Sequence, residues 1–327
     1  MNKSVRAFAR VGGAIAALST SMFAIADGAY PTRAITMVVP FPPGGAADVA
    51  ARPVADAMSR YLKQPIVIEN KAGAGGGVGM GQVARAKADG YTVLMALSSV
   101  VVLPEVDSVL ERTPMYALSQ LKPIARFTAD PLVLVVRANS PWKDFQQFTA
   151  AAKASPGGLS YGSSGNYGTM HVPVEQMRAV VGADFLHVPF TGASPAIVAL
   201  LGGQVDFIAT GPSTVAGHIQ SGRLRPLAHW GSGPVPTLPG VPSLTEMKVP
   251  VTYAQWTGLF APSATPEAVL VKLNEAAKFA AQDAKVKQAL QSAGTYLQFQ
   301  DTPEFEKFMA QDAAVMRKVV QQMGKLN

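Results

Sequence analysis

The stretch Ala34-Ile-Thr-Met-Val-Val-Pro-Phe-Pro-Pro-Gly-Gly-Ala-Ala-Asp48 runs from an apolar strand through an uncharged, glycine-rich turn into the start of a helix. A second stretch, Gly158-Leu-Ser-Tyr-Gly-Ser-Ser-Gly-Asn-Tyr-Gly-Thr-Met-His171, has the same layout. In both, the first N–H groups of the helix lack an intrahelical partner and lie at the positive end of the helix dipole. If the two turns face one cleft, they form a receptacle for a ligand that carries carboxylates. This pattern indicates capture rather than catalysis.

The first turn supplies candidate ligand contacts along its whole length. Pro42 stiffens the turn, and Gly44 and Gly45 permit a close backbone approach that a Cβ would block. Asp48 falls in the first helical turn, where a carboxylate suits the dipole, and is either a plain helix-start residue or a group that orients the ligand. The candidates are Phe41, Pro42, Gly44, Gly45, Ala46, Ala47 and Asp48.

The second turn adds hydroxyl groups and a flexible glycine. The candidates here are Ser163, Ser164, Gly165, Thr169 and His171. Thr169 or Asn166 is expected to cap the helix that follows, which we expect over 168–181. His171, just inside that helix, is either a packed residue or a ligand contact. An ordinary capped turn between a strand and a helix is the alternative to a ligand site.

Further candidates follow other strands. Ser98 and Ser99 come after a strand that ends near Ala96, and Phe190 and Gly192 come after another strand in the same way. Open α/β sheets bind ligands at the carboxyl ends of their strands, which is where these residues are expected to lie. Ordinary loop structure is the alternative at each position.

Residues 1–26 have the pattern of an export signal. Three basic residues, Lys3, Arg6 and Arg10, precede an apolar run that ends at Ala26. A membrane anchor is the alternative, but the run is short and is interrupted by hydroxyl side chains. No later segment offers about 20 uninterrupted apolar residues. We therefore expect an exported, soluble protein, with the signal cleaved near Ala26.

The composition excludes several partners. Removal of the signal takes away three basic residues and no acidic ones, so the formal charge of +7 falls to +4. The basic residues that stay are scattered, which argues against nucleic acid as a partner. The 327-residue chain has no Cys, and its four His residues lack the spacing of a metal site, so we expect no metal and no cofactor.

Two segments resemble enzyme motifs only superficially. In Gly162-Ser-Ser-Gly-Asn166 the second Gly is one place too early for the G-x-S-x-G turn of a hydrolase. The run Gly73-Ala-Gly-Gly-Gly-Val-Gly79 has Val78 where a dinucleotide-binding turn needs Gly, and no Gly-Lys-Ser/Thr follows it. We interpret this run as a structural turn, and we expect no catalytic residue.

Apolar runs alternate with helical patterns along the chain, which predicts mainly parallel sheets flanked by helices. The length predicts about two domains. Strands on either side of Ala129-Asp130-Pro131 carry the chain into the second domain, and the Pro- and Gly-rich stretch 231–250 returns it to the first. Paired crossings of this kind form a hinge, and the cleft beside it is the natural ligand site. The expected strands are 34–40, 66–69, 91–96, 123–128, 132–137, 159–162, 184–189, 205–210 and 225–230. Helices are expected over 46–62, 145–154, 168–181 and 194–201. Further helices are expected from the glycine run to about 88 and from starts near 213, 265 and 302.

A set of motifs, in this order, gives the chain a family resemblance. They are Val38-Val-Pro-Phe-Pro-Pro-Gly-Gly-Ala-Ala-Asp48, Ile68-Glu-Asn-Lys-Ala-Gly-Ala-Gly-Gly76, Ala88-Asp-Gly-Tyr-Thr92, His187-Val-Pro-Phe-Thr-Gly192, Leu201-Gly-Gly-Gln-Val-Asp206 and Trp256-Thr-Gly-Leu-Phe-Ala-Pro262. The set resembles the periplasmic solute receptors of tripartite tricarboxylate transporters, also called Bug receptors. Each motif alone is weak, but the ordered set is specific and runs through nearly the whole mature chain.

The resemblance implies a two-lobe periplasmic binding protein of type II that closes on a small organic acid and presents it to integral-membrane transporter subunits. From the two crossings we expect one lobe over 27–128 and 251–327 and the other over 129–250, and we expect a monomer. In this family the ligand carboxylate is held mainly by backbone amides and ordered water. Ala47 stands where the family often has a hydroxyl residue. Near Thr210, receptors of this family more commonly have an acidic or amide residue, so we expect Thr210 to influence which acid binds.

Two alternatives stay open at this point. A receptor of the same fold can present its ligand to a membrane sensor kinase instead of a transporter. A more remote alternative is a secreted hydrolase that uses Ser163 or Ser164 with a His.

Overall fold

A computed structural model describes residues 30–325, which form two sheets of five strands each. The export signal expected over 1–26 lies outside the described residues. We call the part built on the first sheet the first lobe and the part built on the second sheet the second lobe. The two-lobe α/β architecture expected from the sequence is confirmed.

The first sheet has the strand order β2-β1-β3-β10-β4. Its strands are β1 (Ile35–Val39), β2 (Ile66–Asn70), β3 (Thr92–Leu97), β4 (Leu121–Pro131) and β10 (Ala254–Pro262). Its helices are α1 (Ala46–Leu62), α2 (Gly77–Ala84), α3 (Ser99–Val109), α8 (Glu267–Gln282), α9 (Ala284–Ser292) and α10 (Thr302–Met323). Short 3-10 turns cover Ala74–Gly76 and Leu118–Gln120.

The second sheet has the strand order β7-β6-β8-β5-β9. Its strands are β5 (Val133–Arg137), β6 (Leu159–Ser163), β7 (Phe185–Pro189), β8 (Phe207–Thr210) and β9 (Leu224–His229). Its helices are α4 (Phe145–Ala154), α5 (Val172–Val181), α6 (Ala193–Leu201) and α7 (Pro212–Gln220). Phe148 on α4 packs edge-on against Phe207 on β8, with ring centroids 4.9 Å apart, and both side chains are buried.

Each sheet has four strands in one direction and one against them. In the first sheet β10 pairs antiparallel with β3 and β4, and in the second sheet β5 pairs antiparallel with β8 and β9. The two antiparallel strands are the first strands that the chain forms after it enters a lobe from the other. The parallel strands end at the edge of each sheet that faces the other lobe, which is where ligands bind in open α/β sheets.

The two crossings between the lobes lie side by side and are hydrogen-bonded. Trp230 N donates to Leu132 O over 2.9 Å, and Tyr253 N donates to Trp230 O over 3.0 Å. The indole Nε1 of Trp230 also donates to Pro173 O over 3.2 Å. Three backbone segments thus form a narrow ladder between the sheets, the form expected of a hinge.

The last helix belongs to the first lobe but touches both. α10 packs on α3 and β4, and it also contacts α5 of the second lobe. Phe305 near its start packs edge-on against the buried Trp256 of β10, with ring centroids 5.4 Å apart. At its end Tyr167 Oη donates to Gly324 O over 3.1 Å. The helix therefore connects the core of the first lobe to a turn of the second. Within residues 30–325, no helix is long and apolar enough to cross a membrane.

Several elements differ from the sequence prediction. The helix expected over 168–181 begins only at Val172. A bend and turns occupy 168–171, where the His171 ring accepts a hydrogen bond from Tyr167 N and so holds this segment as a turn ahead of the helix. The sequence prediction also omitted α3, since Val100-Val-Val102 has β-branched side chains and Pro104 lies inside the helix. It omitted β10 and α9 as well.

Candidate functional site

The turn between β1 and α1 has the expected open helix start. Gly44 adopts φ +77°, a left-handed conformation that favours glycine, and Gly45 precedes the helix without any side-chain cap. The turn is closed by a hydrogen bond from Gly45 N to Pro42 O of 3.3 Å. The helix that follows thus begins with backbone N–H groups at its positive end, and Ala46 and Ala47 place no polar side chain over them.

Asp48 holds this turn in shape. Its Oδ2 accepts from Gly44 N over 2.9 Å and from Arg52 Nε over 2.8 Å, and its Oδ1 accepts from Arg52 Nη2 over 2.8 Å and Asn70 Nδ2 over 3.0 Å. Asn70 Nδ2 also donates to Phe41 O over 2.9 Å. Burial alone would raise the pKa of Asp48, but these hydrogen bonds and the Arg52 charge lower it below its usual value. The Asp48 carboxylate is thus ionised, and its hydrogen bonds hold the turn in shape.

The second turn is organised by a pair of stacked histidines. Tyr167 N donates to His171 Nδ1 over 2.7 Å, and the His171 ring lies on the His187 ring with centroids 4.0 Å apart and planes 7° apart. Burial, with the charges of His187 and Arg178, lowers the pKa of His171 to about 3, and burial lowers the pKa of His187 to about 4. Both rings are therefore neutral near pH 7. His171 precedes α5, and neither Thr169 nor Asn166 caps that helix, so the expected cap is wrong.

The two serines of this turn have different surroundings. Ser163 Oγ lies 2.6 Å from His187 Nε2 and accepts from Gly165 N over 3.1 Å. Within the described part of the chain, Ser164 Oγ is buried and has no hydrogen-bond partner. A buried hydroxyl without a partner is costly, so Ser164 is the polar group of this turn with unused bonding capacity.

The lobes touch each other through these turns. Ser194 Oγ at the start of α6 donates to Pro43 O over 2.8 Å. Gln255 Nε2 on β10 donates to Thr169 Oγ1 over 2.7 Å, and both residues are buried. The structure therefore has the cleft closed, with the first turn set against the segment after β7 and the turn after β6 set against Gln255.

Glycines without side chains make this closure possible. A Cβ built on Gly192 would lie 2.3 Å from Pro42 Cδ, and one on Gly211 would lie 2.5 Å from Gln255 Oε1. A Cβ on Gly165 would lie 3.0 Å from Gly75 N, in the glycine-rich run of the first lobe. That run, interpreted above as a structural turn, is therefore also a contact surface between the lobes.

The remaining candidates are placed as follows. Ser98 Oγ lies 3.0 Å from Tyr253 Oη, and Ser99 Oγ donates to Gly75 O over 3.0 Å, so both hydroxyls stabilise the hinge side of the cleft. Phe190 N donates to Ser163 O over 3.0 Å. Thr210 Oγ1 lies 2.9 Å from Thr214 Oγ1, inside the second lobe. The hydroxyls of Ser98, Ser99 and Thr210 thus have partners within the protein, and Phe190 is held by its backbone.

Sequence reasoning missed Gln255 and Ser194. Both stand next to quoted motifs, Gln255 one residue before Trp256 and Ser194 two residues after Gly192. A side chain at the carboxyl edge of a sheet is a signal of a possible contact, but β10 was not predicted as a strand. The described residues contain no group of three or more His, Cys, Asp or Glu that could hold a metal ion.

A sequence profile described as tripartite tricarboxylate transporter family receptor matches residues 50–325. The chain belongs to this receptor family. It is 33% identical over 296 residues to the protein BugT of Bordetella pertussis, and the match covers 90% of this chain and 90% of BugT. The resemblance noted in the sequence is thereby confirmed.

Solved structures of similar chains have the same fold. The periplasmic binding protein BugD is 28% identical, with a TM-score of 0.85 over 90% of this chain and 99% of BugD. The protein MatC of Rhodopseudomonas palustris, solved with bound malate, is 29% identical, with a TM-score of 0.83 over 89% of this chain and all of MatC. The receptor family and the likeness to the periplasmic binding protein BugD indicate a periplasmic protein.

Proposed function

We propose that this chain captures a small organic carboxylate between its lobes and delivers it to a tripartite tricarboxylate-type membrane transporter. The observation that supports this most strongly is the closed cleft, in which the uncharged turn before α1 lies against Gly192 and Ser194 of the other lobe. The second glycine-rich turn, after β6, lies against Gly75 and Gln255 of the first lobe. The cleft-facing residues named above include no Lys or Arg, so main-chain dipoles and hydroxyls supply the attraction for an anion.

We propose that the ligand carboxylate bonds to the first amides of α1 and to the hydroxyl of Ser164. The hydroxyl is buried beside Gly165 and has no partner among the described residues, so a bound anion or a bridging water would satisfy it. Asp48 and His171 act indirectly in this scheme, since each fixes the backbone of one turn. The other candidate residues of the two turns would contact the ligand through their backbone groups, which the Asp48 and His171 side chains hold in place.

We infer that the lobes have the bounds expected from the sequence, 27–128 with 251–327 and 129–250. The hinge ladder at Leu132 and Trp230 supports this division. We further infer that residues 1–26 direct export to the periplasm and that the mature protein works as a monomer. Size-exclusion chromatography with light scattering, and mass spectrometry of the protein exported by its host, test these two points.

We also propose that the chain is not an enzyme. Ser163 touches His187 as a nucleophile touches its base, but the serine side chain is fully buried and its oxygen already accepts the Gly165 N–H. Within the described residues no carboxylate hydrogen bonds to His187 to orient it, as a catalytic triad requires. A fluorophosphonate probe should therefore leave the protein unlabelled, and stoichiometric labelling of Ser163 would contradict the proposal.

Ligand binding is tested on the exported, mature protein with matched pairs of compounds. Isothermal titration calorimetry and thermal shift are run with organic acids and with their uncharged amides, for example succinate against succinamide. A ligand at about 100 times its Kd adds about 2.7 kcal/mol to the free energy of unfolding, so the Tm should rise by several degrees with an acid. The amides should give no shift. Failure of every acid in a broad panel would overturn the proposal.

A further inference from the structure

A groove on the outer edge of the first lobe runs between α1 and β2. Its volume is about 660 Å³. α1 borders the groove from Arg52 to Lys63, and β2 borders it with Ile66 and Ile68. At the helical rise of about 1.5 Å per residue, Arg52 and Lys63 are about 16 Å apart along α1, which is the length of about five residues of extended chain.

The groove lies on the side of the first lobe where the cleft opens. β2 stands at one end of the first sheet, and β10 and β4 stand at the other. Both crossings to the second lobe leave from β10 and β4, so the hinge is at that end. A protein that receives the solute from the open cleft therefore meets the β2 end first.

β2 presents an open backbone edge to this groove. Among the described residues it pairs with β1 alone. The first bond from β1 falls on Pro65 O, so the odd-numbered residues of β2 bond to β1, and the main-chain groups of Ile66 and Ile68 point away from it. Ser59 Oγ accepts from Ile66 N over 2.9 Å. The N–H and C=O of Ile68 are therefore open to a further strand.

The walls of the groove carry more positive than negative charge. They include the cations Arg52, Arg60 and Lys63 and one carboxylate, Asp56. Arg60 is held by Asp56 and Asp283. Lys63 is exposed and has no ion-pair partner within residues 30–325. An extended segment that carries carboxylates complements both this charge and the open edge.

Arg52 connects the groove to the first ligand turn. Its side chain is 55% exposed, whereas the side chain of its partner Asp48 is only 4% exposed. The guanidinium donates to both Asp48 oxygens through Nε and Nη2, and Asp48 Oδ2 also accepts from Gly44 N in the turn. Arg52 Nη1 has no hydrogen bond to another described residue, so it is available to a carboxylate in the groove. A continuous chain of bonds thus runs from the outer surface to the turn.

We propose that this groove binds an acidic, extended segment of the membrane transporter, and that a carboxylate of this segment competes with Asp48 for Arg52 and loosens the first turn. Docking then lowers the affinity of the receptor for its solute. This inference rests on the proposed function, because it takes the start of α1 as the solute site and the transporter as the partner.

The first experiment tests docking with two hexapeptides of opposite charge. One alternates Val with Glu and the other alternates Val with Lys, and each is titrated to millimolar concentration into isotope-labelled mature protein. We expect the acidic peptide to shift the amide NMR resonances of Lys63 and Ile68, and the basic peptide to shift neither. An equal response to both peptides, or no response to either, would overturn the proposal.

A charge reversal in the groove provides the second arm of this test. Lys63→Glu should weaken the binding of the acidic peptide at least fivefold. Lys318→Glu makes the same change at an exposed lysine of α10 and should leave peptide binding unchanged. Equal effects of the two variants would contradict docking in the groove. Dimerisation of the free protein that Lys63→Glu abolishes would place a second copy of the chain there, and that result would also overturn the proposal.

The second experiment measures the coupling between the groove and the turn. The acidic peptide should speed hydrogen exchange of the Gly44 amide at least threefold, and it should raise the Kd of the tightest-binding acid of the panel above at least threefold. By linkage, that acid must weaken peptide binding by the same factor. Unchanged exchange at Gly44 would overturn the coupling. If no acid binds, the proposed function fails, whereas the exchange at Gly44 still decides the role of the groove.

The third experiment removes the connecting side chain. Arg52→Gln should speed exchange at Gly44 and raise the Kd for the acid at least fivefold, and the peptide should then have no further effect on either. Arg52→Lys keeps the charge and should restore part of both. Arg112→Gln is the matched control, because Arg112 is 54% exposed and pairs with Asp107, which is 8% exposed. Equal effects of Arg52→Gln and Arg112→Gln on Gly44 would refute the specific link.

Discussion

Gln255 Nε2 donates a 2.7 Å hydrogen bond to Thr169 Oγ1, and this bond joins the antiparallel strand of the first lobe to the ligand turn of the second. Neither partner has this contact when the lobes separate. The bond therefore belongs to the closed form alone, and its free energy enters the equilibrium between open and closed protein directly.

Removal of this bond should weaken ligand binding without unfolding the protein. A hydrogen bond contributes about 0.5–1.5 kcal/mol, so Gln255→Leu or Thr169→Val should raise the Kd about 2- to 12-fold. The double variant should lose no more than one single variant if the two side chains act through each other. Gln298→Leu, which removes a bond to Ala129 O on β4 of the first sheet, is the control and should leave the Kd unchanged. Additive losses in the double variant would contradict a direct pairing.

Gly192→Ala should block closure. The residue has φ 166°, an extended conformation that alanine adopts without strain, so the only obstacle is the Cβ at 2.3 Å from Pro42 Cδ of the other lobe. Overpacking of this kind costs about 1–3 kcal/mol, which predicts a Kd about 5- to 150-fold higher. The Tm of the ligand-free protein should change little, because the open form has room for the methyl group.

The control for this variant is Gly217→Ala in α7, where a Cβ meets nothing within 4 Å. Small-angle scattering measures the outcome directly. With saturating acid, the wild type and Gly217→Ala should contract, whereas Gly192→Ala should keep the larger radius of gyration. Full contraction of Gly192→Ala would show that Gly192 does not have to be a glycine.

Asp48→Asn should loosen the first turn and reduce stability in a pH-dependent way. The NH2 group of an amide cannot accept the bonds that Oδ1 receives from Arg52 Nη2 and Asn70 Nδ2, and the amide carries no charge for Arg52. We therefore expect a loss of about 1–3 kcal/mol in the free energy of unfolding at pH 7. The pKa of Asp48 is lowered in the folded state, so its contribution is complete above the unfolded value of about 3.9 and disappears as the pH falls through the folded value. Urea unfolding of both proteins from pH 7 to pH 3 measures the difference.

Asp56→Asn provides the comparison for Asp48→Asn. Asp56 also pairs with an arginine four residues on, Arg60, but its side chain is exposed. Exposed pairs of this type contribute about 0–1 kcal/mol, so the loss should be small at every pH. A loss for Asp56→Asn equal to that for Asp48→Asn would refute the special role of the buried carboxylate.

The stacked histidines predict that acid destabilises the protein well above the pH at which its carboxylates titrate. The pKa values of His171 and His187 are lowered to about 3 and about 4, while an unfolded histidine has a pKa of about 6.5. Between these limits the unfolded chain binds more protons, so stability falls as the pH drops below 6.5, by up to about 1.4 kcal/mol per pH unit for each histidine.

Two variants test the source of this slope. His171→Asn and His187→Gln should each lower the stability at pH 7. Burial also lowers the pKa of His229, so each variant should remove only its own histidine's share of the slope between pH 6.5 and pH 4.5. His218→Gln, at a half-buried position of α7, should leave most of the slope in place. A slope that stays the same in both of the first two variants would assign it to other groups.

The fold could be predicted largely from the sequence because its strands and helices have strong periodic patterns. The bounds of α1 and α4 agree with the prediction at both ends, since Gly45 and Asp144 precede clear helical periods. α3 was omitted because Pro104 and a run of β-branched residues argue locally against a helix, and burial in the first lobe outweighs that preference.

The cleft was harder to predict, because contact across it depends on which lobe each residue belongs to. The pairs Gly192 with Pro42 and Gln255 with Thr169 are far apart in the chain, and a single sequence gives no sign that they meet. The two glycine-rich turns could be recognised as candidate ligand sites from the sequence, because repeated glycines before a helix indicate positive φ angles or a close approach to the backbone. The uses of the Asp48 and His171 side chains depend on hydrogen-bond geometry, which residue type alone does not fix.

The bond between Tyr167 Oη and Gly324 O fixes the end of α10 against the second glycine-rich turn. A fluorescent protein or an affinity tag fused at this end would be tethered next to a moving part, whereas one fused ahead of Tyr30 would be tethered beside Gly90 in the first lobe. An environment-sensitive dye on a cysteine introduced at Lys325 would therefore make the receptor an optical sensor for its own solute. The absence of any native cysteine in the sequence allows that label to be attached at a single position.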